Sequence, residues 1–151
     1  MTDIQNPKGT NDVNIEEKIQ VNRIIKIITE VFEKYGFNPL QTTILEKYET
    51  LAAKYTGGKE ILKETFKLKD QGKRDLGLRY DLTVPLARYI AMNPNLKMPF
   101  KRYEIGQVFR DGPTKLARYR EFTQCDADTI GSKNMLADAE MLAIASEIFS
   151  R

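Results

Sequence analysis

The sequence predicts an α+β fold in which an antiparallel sheet is flanked by helices. Two observations carry that prediction. Apolar residues recur at helical spacing toward both ends of the chain, through Ile15, Ile19, Ile24, Ile28, Val31, Phe32 and Tyr35, and again through Leu136, Met141, Leu142, Ala145, Ile148 and Phe149. Between them, residues 100–110 and 118–128 alternate with the two-residue period of strands on either side of a turn at Asp111-Gly112-Pro113-Thr114. A chain of 151 residues that is 41% apolar is long enough for one good core, and no feature points to a second.

The elements follow in order. Asn14 with Glu17 forms a capping signal, and Gly36 ends the helix that begins at Ile15. Phe37 to Thr43 reads as extended. Leu45 to Tyr55 reads as a short helix that Gly57-Gly58 interrupts. Thr65–Lys69 and Leu76–Tyr80 form a hairpin with its turn at Gln71-Gly72. Thr83 is placed as the N-cap of a helix from Val84 to Met92, with Pro85 in its first turn and Asn93-Pro94 as its stop. A strand from Phe100 carries Tyr103, Ile105 and Phe109 on one face and Glu104 and Arg110 on the other, leaving Arg110 at its end. From Arg118 the alternation resumes, and Met135 to Phe149 is the last helix.

Composition narrows the chemistry. Twenty-four basic and 21 acidic residues give a net charge of +3, weak support for a polyanionic partner. The absence of histidine excludes histidine-based acid–base catalysis, triads and histidine metal sites, leaving carboxylates, arginines and bound ions. The single cysteine, Cys125, excludes an internal disulfide framework and a cysteine-rich zinc site, and reads as a packed core thiol. Met1 to Thr10 is polar with Pro7 and Gly9, and no long apolar run occurs, so the chain is expected to be cytoplasmic with no membrane-spanning part.

The second strand of the 100–128 hairpin is the chemically informative one. Arg118, Arg120, Phe122, Gln124, Asp126 and Asp128 share one parity, while Tyr119, Thr123, Cys125 and Ala127 share the other. A solvated sheet face is a common reason for such charges. A solvent face tends toward Lys, Glu and Thr, however, whereas this row supplies a phosphate-binding fork, a stacking ring, an amide and an anion. It points to a nucleotide-binding cleft. Arg79, Asp81 and Thr83 likewise share a parity; an anion and a hydroxyl together at the strand-to-helix junction suit an ammonium group, while spacing alone favours Thr83 as a helix cap and Asp81 as a favourable charge beside the helix start.

Three separated segments resemble a known family. FRDGPTKLARYREFTQCDAD at Phe109 to Asp128 resembles the second signature motif of class II aminoacyl-tRNA synthetases, in a form close to that of histidyl-tRNA synthetases. LRYDLT at Leu78 to Thr83 resembles the archaeal and eukaryotic histidyl enzymes, and NPKGTNDV at Asn6 to Val13 resembles their N-terminal signature. The resemblance implies a class II synthetase-like antiparallel sheet flanked by helices, with residues 1–151 as the N-terminal portion of the catalytic core. It also implies a histidine–tRNA ligase that activates L-histidine with ATP and Mg2+, transfers it to tRNA-His, and works as a homodimer.

Site roles carried over by that resemblance are specific. Arg110 would contact the α-phosphate and the substrate carboxylate as the catalytic residue. Arg118 would contact the triphosphate, and Phe122 would stack on adenine. Asp81, Leu82, Thr83, Arg110, Gln124 and Asp128 would hold histidine, with Asp128 facing either the imidazole or the ammonium group. Glu104 would orient Arg110 or bind metal, Arg120 and Glu121 would support the strand, and Asp126 is open to either use.

Departures from the family pattern are as informative. Thr43 stands where the first motif carries a proline, Gly112 replaces an acid, and Ala117 replaces a glycine before RYREF. Motif three, the histidine-specific segments and the anticodon-binding domain are not found before Arg151, so the chain is expected to be a catalytic-core fragment. Two other functions are carried beside the ligase: a synthetase-like histidine-sensing subunit of histidine biosynthesis, and a non-catalytic dimerisation module.

Overall fold

The computed structural model describes residues 4–53 and 62–151. They fall into two compact units, one of Met1–Asp12, Thr42–Pro94 and Gly106–Gln124, the other of Val13–Gln41, Asn95–Ile105 and Cys125–Arg151. The expectation of one core is thereby corrected, because each unit has its own cluster of buried apolar residues. Each unit is assembled from segments far apart in sequence, which a pass along the chain cannot see.

The second unit is built on helix α1 (Ile15–Lys34). Asn14 accepts from the Glu17 N–H at 2.9 Å and the Glu17 carboxylate accepts from the Asn14 N–H at 3.4 Å, so the expected capping box is formed. At the other end Gly36 takes φ +78°, its N–H donates to Glu33 O, and the Phe37 N–H donates to Phe32 O. This is a Schellman closure, and the Phe32 and Phe37 rings, 6.2 Å apart, supply its apolar contact.

Strand β1 (Asn38–Pro39) then pairs in parallel with strand β5 (Phe100–Phe109), Asn38 opposite Arg102 and Pro39 opposite Tyr103. Strand β6 (Glu121–Ile130) lies on the other side of β5, and the last helix, α4, is Leu136–Phe149. Val31, Phe32, Phe37, Tyr103 and Ile144 form the buried cluster, with Ile28, Tyr35 and Ile148 packed against it. The Tyr103 hydroxyl donates to Glu33 at 2.9 Å, and Lys34 reaches Glu147 of α4 at 2.8 Å.

Only the C-terminal half of the predicted α1 stripe is covered. Val31 is fully buried, whereas Ile15, Ile19 and Ile24 are 77, 59 and 56% exposed. Periodicity reports which face is apolar without reporting how far along the helix a neighbour extends.

The first unit contains an antiparallel sheet in the order β2 (Leu45–Lys47), β4 (Asp75–Leu78), β3 (Lys67–Lys69). The predicted hairpin is therefore present. Its turn is shaped by Asp70, whose carboxylate accepts from the Arg74 backbone N–H at 2.9 Å, and the residue with positive φ is Lys73 rather than Gly72. Leu45–Lys47 is a strand and not the start of a helix, because it pairs with β4 through Leu45–Leu78 and Lys47–Leu76. Helix α2 (Tyr48–Ala53) follows, and Gly57-Gly58 lies outside the described residues.

Helix α3 spans Thr83–Met92, so Thr83 is its first residue and not its N-cap. The capping oxygen comes from Asp81 instead, which accepts from the Val84 N–H at 2.9 Å. Leu51 and Val84 pack with Leu62 at the centre of this unit, and Leu82, Leu86 and Val108 are buried as well. Among the described residues no helix is long and apolar enough to cross a membrane.

Candidate functional site

Arg110 follows the last residue of β5 and is half-buried. Its guanidinium lies 4.4 Å from the centre of the Tyr80 ring and 4.8 Å from that of Phe122. Each such contact contributes about 0.5–2 kcal/mol according to its desolvation. The Arg110 backbone N–H donates to Arg120 O at 2.8 Å, and Nε reaches Tyr80 O at 3.4 Å. Among the described residues no carboxylate lies within ion-pair distance of this guanidinium. Among the described residues the charge is held by aromatic faces and a carbonyl and is neutralised by no acid.

The segment from Asp111 to Arg120 is a loop, which corrects the expectation that β6 resumes at Arg118. Lys115 and Arg118 form an isolated bridge, and the strand itself starts at Glu121. Ala117 sits in the left-handed region at φ +59°, the position at which the resembled family has glycine. Arg118, with 48% of its side chain exposed, places Nη2 at 2.9 and 3.1 Å from the two Glu64 oxygens. Arg120 turns to the loop, 3.3 Å from both Asp111 Oδ1 and Gly112 O, and its backbone N–H donates to Gly9 O at 2.7 Å. These contacts tie Arg120 and the NPKGTNDV segment to the loop.

Tyr80 and Glu64 are the participants that the sequence did not single out. The Tyr80 hydroxyl donates to Glu64 Oε2 at 3.2 Å, and partial burial, assisted by the Glu64 charge, holds the phenol above its usual range despite the opposing Arg110. Nothing local marks Glu64, which lies 16 residues from Tyr80 and 54 from Arg118.

Asp81 is half-buried at the start of α3, Leu82 is fully buried, and Thr83 is exposed beside them. Arg79 follows directly on β4, which ends at Leu78. It is 2% exposed, with Nε donating to Gln107 O at 2.7 Å and Nη1 to Thr42 O at 3.1 Å. On β6, Phe122 and Gln124 are half-buried while Thr123 and Cys125 are exposed. The alternation is therefore present, but the expectation of a core thiol is reversed: the functional parity is the covered one.

In the second unit, Asp128 Oδ2 lies 2.7 Å from Arg102 Nη2. Arg102 is fully buried, and its Nη1 lies 3.8 Å from the 2%-exposed Glu104. Burial pushes the Asp128 carboxyl above the usual range, Arg102 pulls it back, and Asp126 adds to the rise. A cavity of about 340 Å³ adjoins it, lined by Asp128, Thr129, Ser132, Lys133, Asn134 and Asp138 among others.

The comparisons with known proteins agree with one another. A family model described as histidyl-tRNA synthetase matches residues 9–151. Histidine–tRNA ligase 1 of Bacillus cereus is 54% identical over 149 residues, which is 99% of this chain and 35% of that protein. The crystal structure of histidyl-tRNA synthetase from Nostoc sp. PCC 7120 matches with a TM-score of 0.83 at 35% identity, covering 98% of this chain and 34% of that one. A Bacillus halodurans structure described as an ATP phosphoribosyltransferase regulatory subunit/histidyl-tRNA synthetase matches with a TM-score of 0.81 at 27% identity, over 96% of this chain and 38% of that one.

The α+β architecture, with the motif arginine at the end of a long strand, is that of the class II aminoacyl-tRNA synthetases. Within that class, the chain belongs to the histidyl-tRNA synthetase family. It spans about a third of the length of the relatives it matches.

Proposed function

We propose that this chain is the N-terminal portion of the catalytic core of a histidine–tRNA ligase, carrying the first two class motifs and the residues that bring ATP and histidine together. The observation that carries the reading is Arg110, a half-buried cation between two aromatic rings with no carboxylate partner among the described residues. A guanidinium held in this way is available to an anion, and it stands at the motif-two position.

In the first step the histidine carboxylate attacks the α-phosphorus, and the bond to pyrophosphate breaks. A terminal ribose hydroxyl of tRNA-His then attacks the activated carbonyl and releases AMP. Neither step needs a protein nucleophile; both depend on positioning and on neutralising developing charge. Arg110 serves the α-phosphate and the histidine carboxylate, Arg118 the triphosphate, and Phe122 the adenine. Asp81, Leu82, Thr83, Gln124 and Asp128 are each assigned to histidine by resemblance.

The described residues include no cluster of three or more metal-ligating side chains, and Glu104 is buried against Arg102. By resemblance to the family, magnesium is assigned to the bound nucleotide rather than to a cluster of protein side chains. Bound there, magnesium supplies further neutralisation of phosphate charge. The exposed Ile15 and Ile19 on α1 support a homodimer, and a cytoplasmic setting follows from the proposed role in translation.

A second reading, a histidine-sensing regulatory subunit, is favoured by the description of the Bacillus halodurans structure. Histidine-dependent exchange of labelled pyrophosphate into ATP separates the two. The ligase reading expects exchange that Arg110→Ala and Asp128→Ala both abolish. Histidine binding without exchange, in folded protein that binds ATP, would mean either that segments of the relatives not matched by this chain are required or that the pocket only binds, as in a sensing subunit.

A further inference from the structure

Glu64 brings together three groups of the proposed nucleotide site, all within the first unit. Its two carboxylate oxygens lie 2.9 and 3.1 Å from Arg118 Nη2, and one of them accepts from the Tyr80 hydroxyl at 3.2 Å. Its carbonyl accepts from the Asp111 N–H at 2.6 Å, at the start of the 111–120 loop. The same carboxylate lies so close to Gly112 that a Cβ there would come within 2.8 Å of it. Glycine at 112 leaves room for Glu64 to approach, and a carboxylate side chain there would meet like charge.

We propose that Glu64 is a positioning residue for the nucleotide site, an internal stand-in for polyphosphate that holds Arg118 in the absence of nucleotide and gives it up when the β- and γ-phosphates arrive. The inference rests on the ligase reading and extends it from the arginine to the acid that competes for it. Arg118 is exposed enough for a ligand to reach, and an ion pair at such a surface is weak, so a polyphosphate can replace it. Tyr80 stays beneath Arg110 during the exchange, because ring stacking holds it independently of its hydroxyl. A carboxylate whose function was only to staple the loop would strengthen the site. One that competes with the ligand weakens it.

The test is equilibrium binding of Mg-ATP and of AMP to the 151-residue chain and to its Glu64→Gln variant, which keeps the shape and removes the charge. Glu64→Gln is expected to tighten ATP by about two- to fivefold and to leave AMP unchanged, since AMP has no phosphate to place on Arg118. In an Arg118→Ala background the same substitution should change neither. Should Glu64→Gln unfold the loop, Glu64→Asp withdraws the carboxylate without removing it and is expected to shift ATP in the same direction. ATP affinity unchanged or weakened in the folded variants, or AMP tightened equally, would overturn the stand-in role while leaving the ligase reading intact. Failure of the unaltered chain to bind ATP at all would overturn the nucleotide site and the proposal with it.

Discussion

The Arg110 guanidinium rests 4.4 Å from the centre of the Tyr80 ring, with Phe122 contributing a second face at 4.8 Å. Two rings fix the orientation of the cation without cancelling its charge, as a carboxylate in either place would. The consequence is testable by separating the ring from its hydroxyl. Tyr80→Phe is expected to keep Arg110-dependent ATP binding within about twofold, whereas Tyr80→Leu should weaken it by about 1 kcal/mol, roughly fivefold. Titration calorimetry with Mg-ATP reads both, and a Leu variant equal to the parent would show that the stacking does not hold Arg110.

A second consequence concerns Glu46, which is 4% exposed. Arg88 Nε lies 2.9 Å from each of its oxygens and Nη2 2.8 Å from one, while the Thr43 hydroxyl donates to Oε1 at 2.8 Å. Arg88→Ala leaves that acid buried without its cation and is expected to cost about 3 kcal/mol of unfolding free energy. Replacing both partners by Met should cost far less. Urea denaturation of the two variants gives the comparison, and equal losses would mean that packing rather than charge dominates.

The third concerns acid. Glu147 accepts a hydrogen bond from Lys34 and pairs with Arg151, and these cations hold its carboxyl below the unperturbed value of 4.5, the Lys34 bond being the largest cause. A carboxyl lowered in the folded state contributes stability that is fully present above pH 4.5 and is lost as pH falls through the folded value. Glu147→Gln should therefore be less stable than the parent at neutral pH, with the two converging in strong acid. Thermal melts between about pH 2 and pH 7 measure the gap, and a gap independent of pH would remove the ion pairs from the account.

What the sequence made legible was what short-range chemistry controls. Asn14 and Glu17 set the start of α1, Gly36 sets its end, and the Asp70 turn sets the β3–β4 hairpin, each through atoms within a few residues. The place of Arg110 at the end of β5 was legible through the two-residue alternation. Leu45–Lys47 was not, because its strand character comes from pairing with residues some thirty positions away. Glu64 was invisible for the same reason. The exposure of Ile15 and Cys125 could not be read either: periodicity separates two faces, and only the tertiary arrangement decides which of them is covered.

The exposed sulfur on β6 has a practical consequence. Cys125 is the only cysteine in the chain and is adjacent in sequence to Gln124 on the opposite face of the strand. A thiol-reactive fluorophore can therefore be attached at a single defined position, one peptide unit from a proposed histidine contact and without removing any other residue. Desolvation along the strand and then the Asp126 charge push the thiol above its usual range, so conjugation will run fastest on the alkaline side of neutrality. The labelled protein would report occupancy of β6 by a change in emission, a route to affinities that requires no turnover.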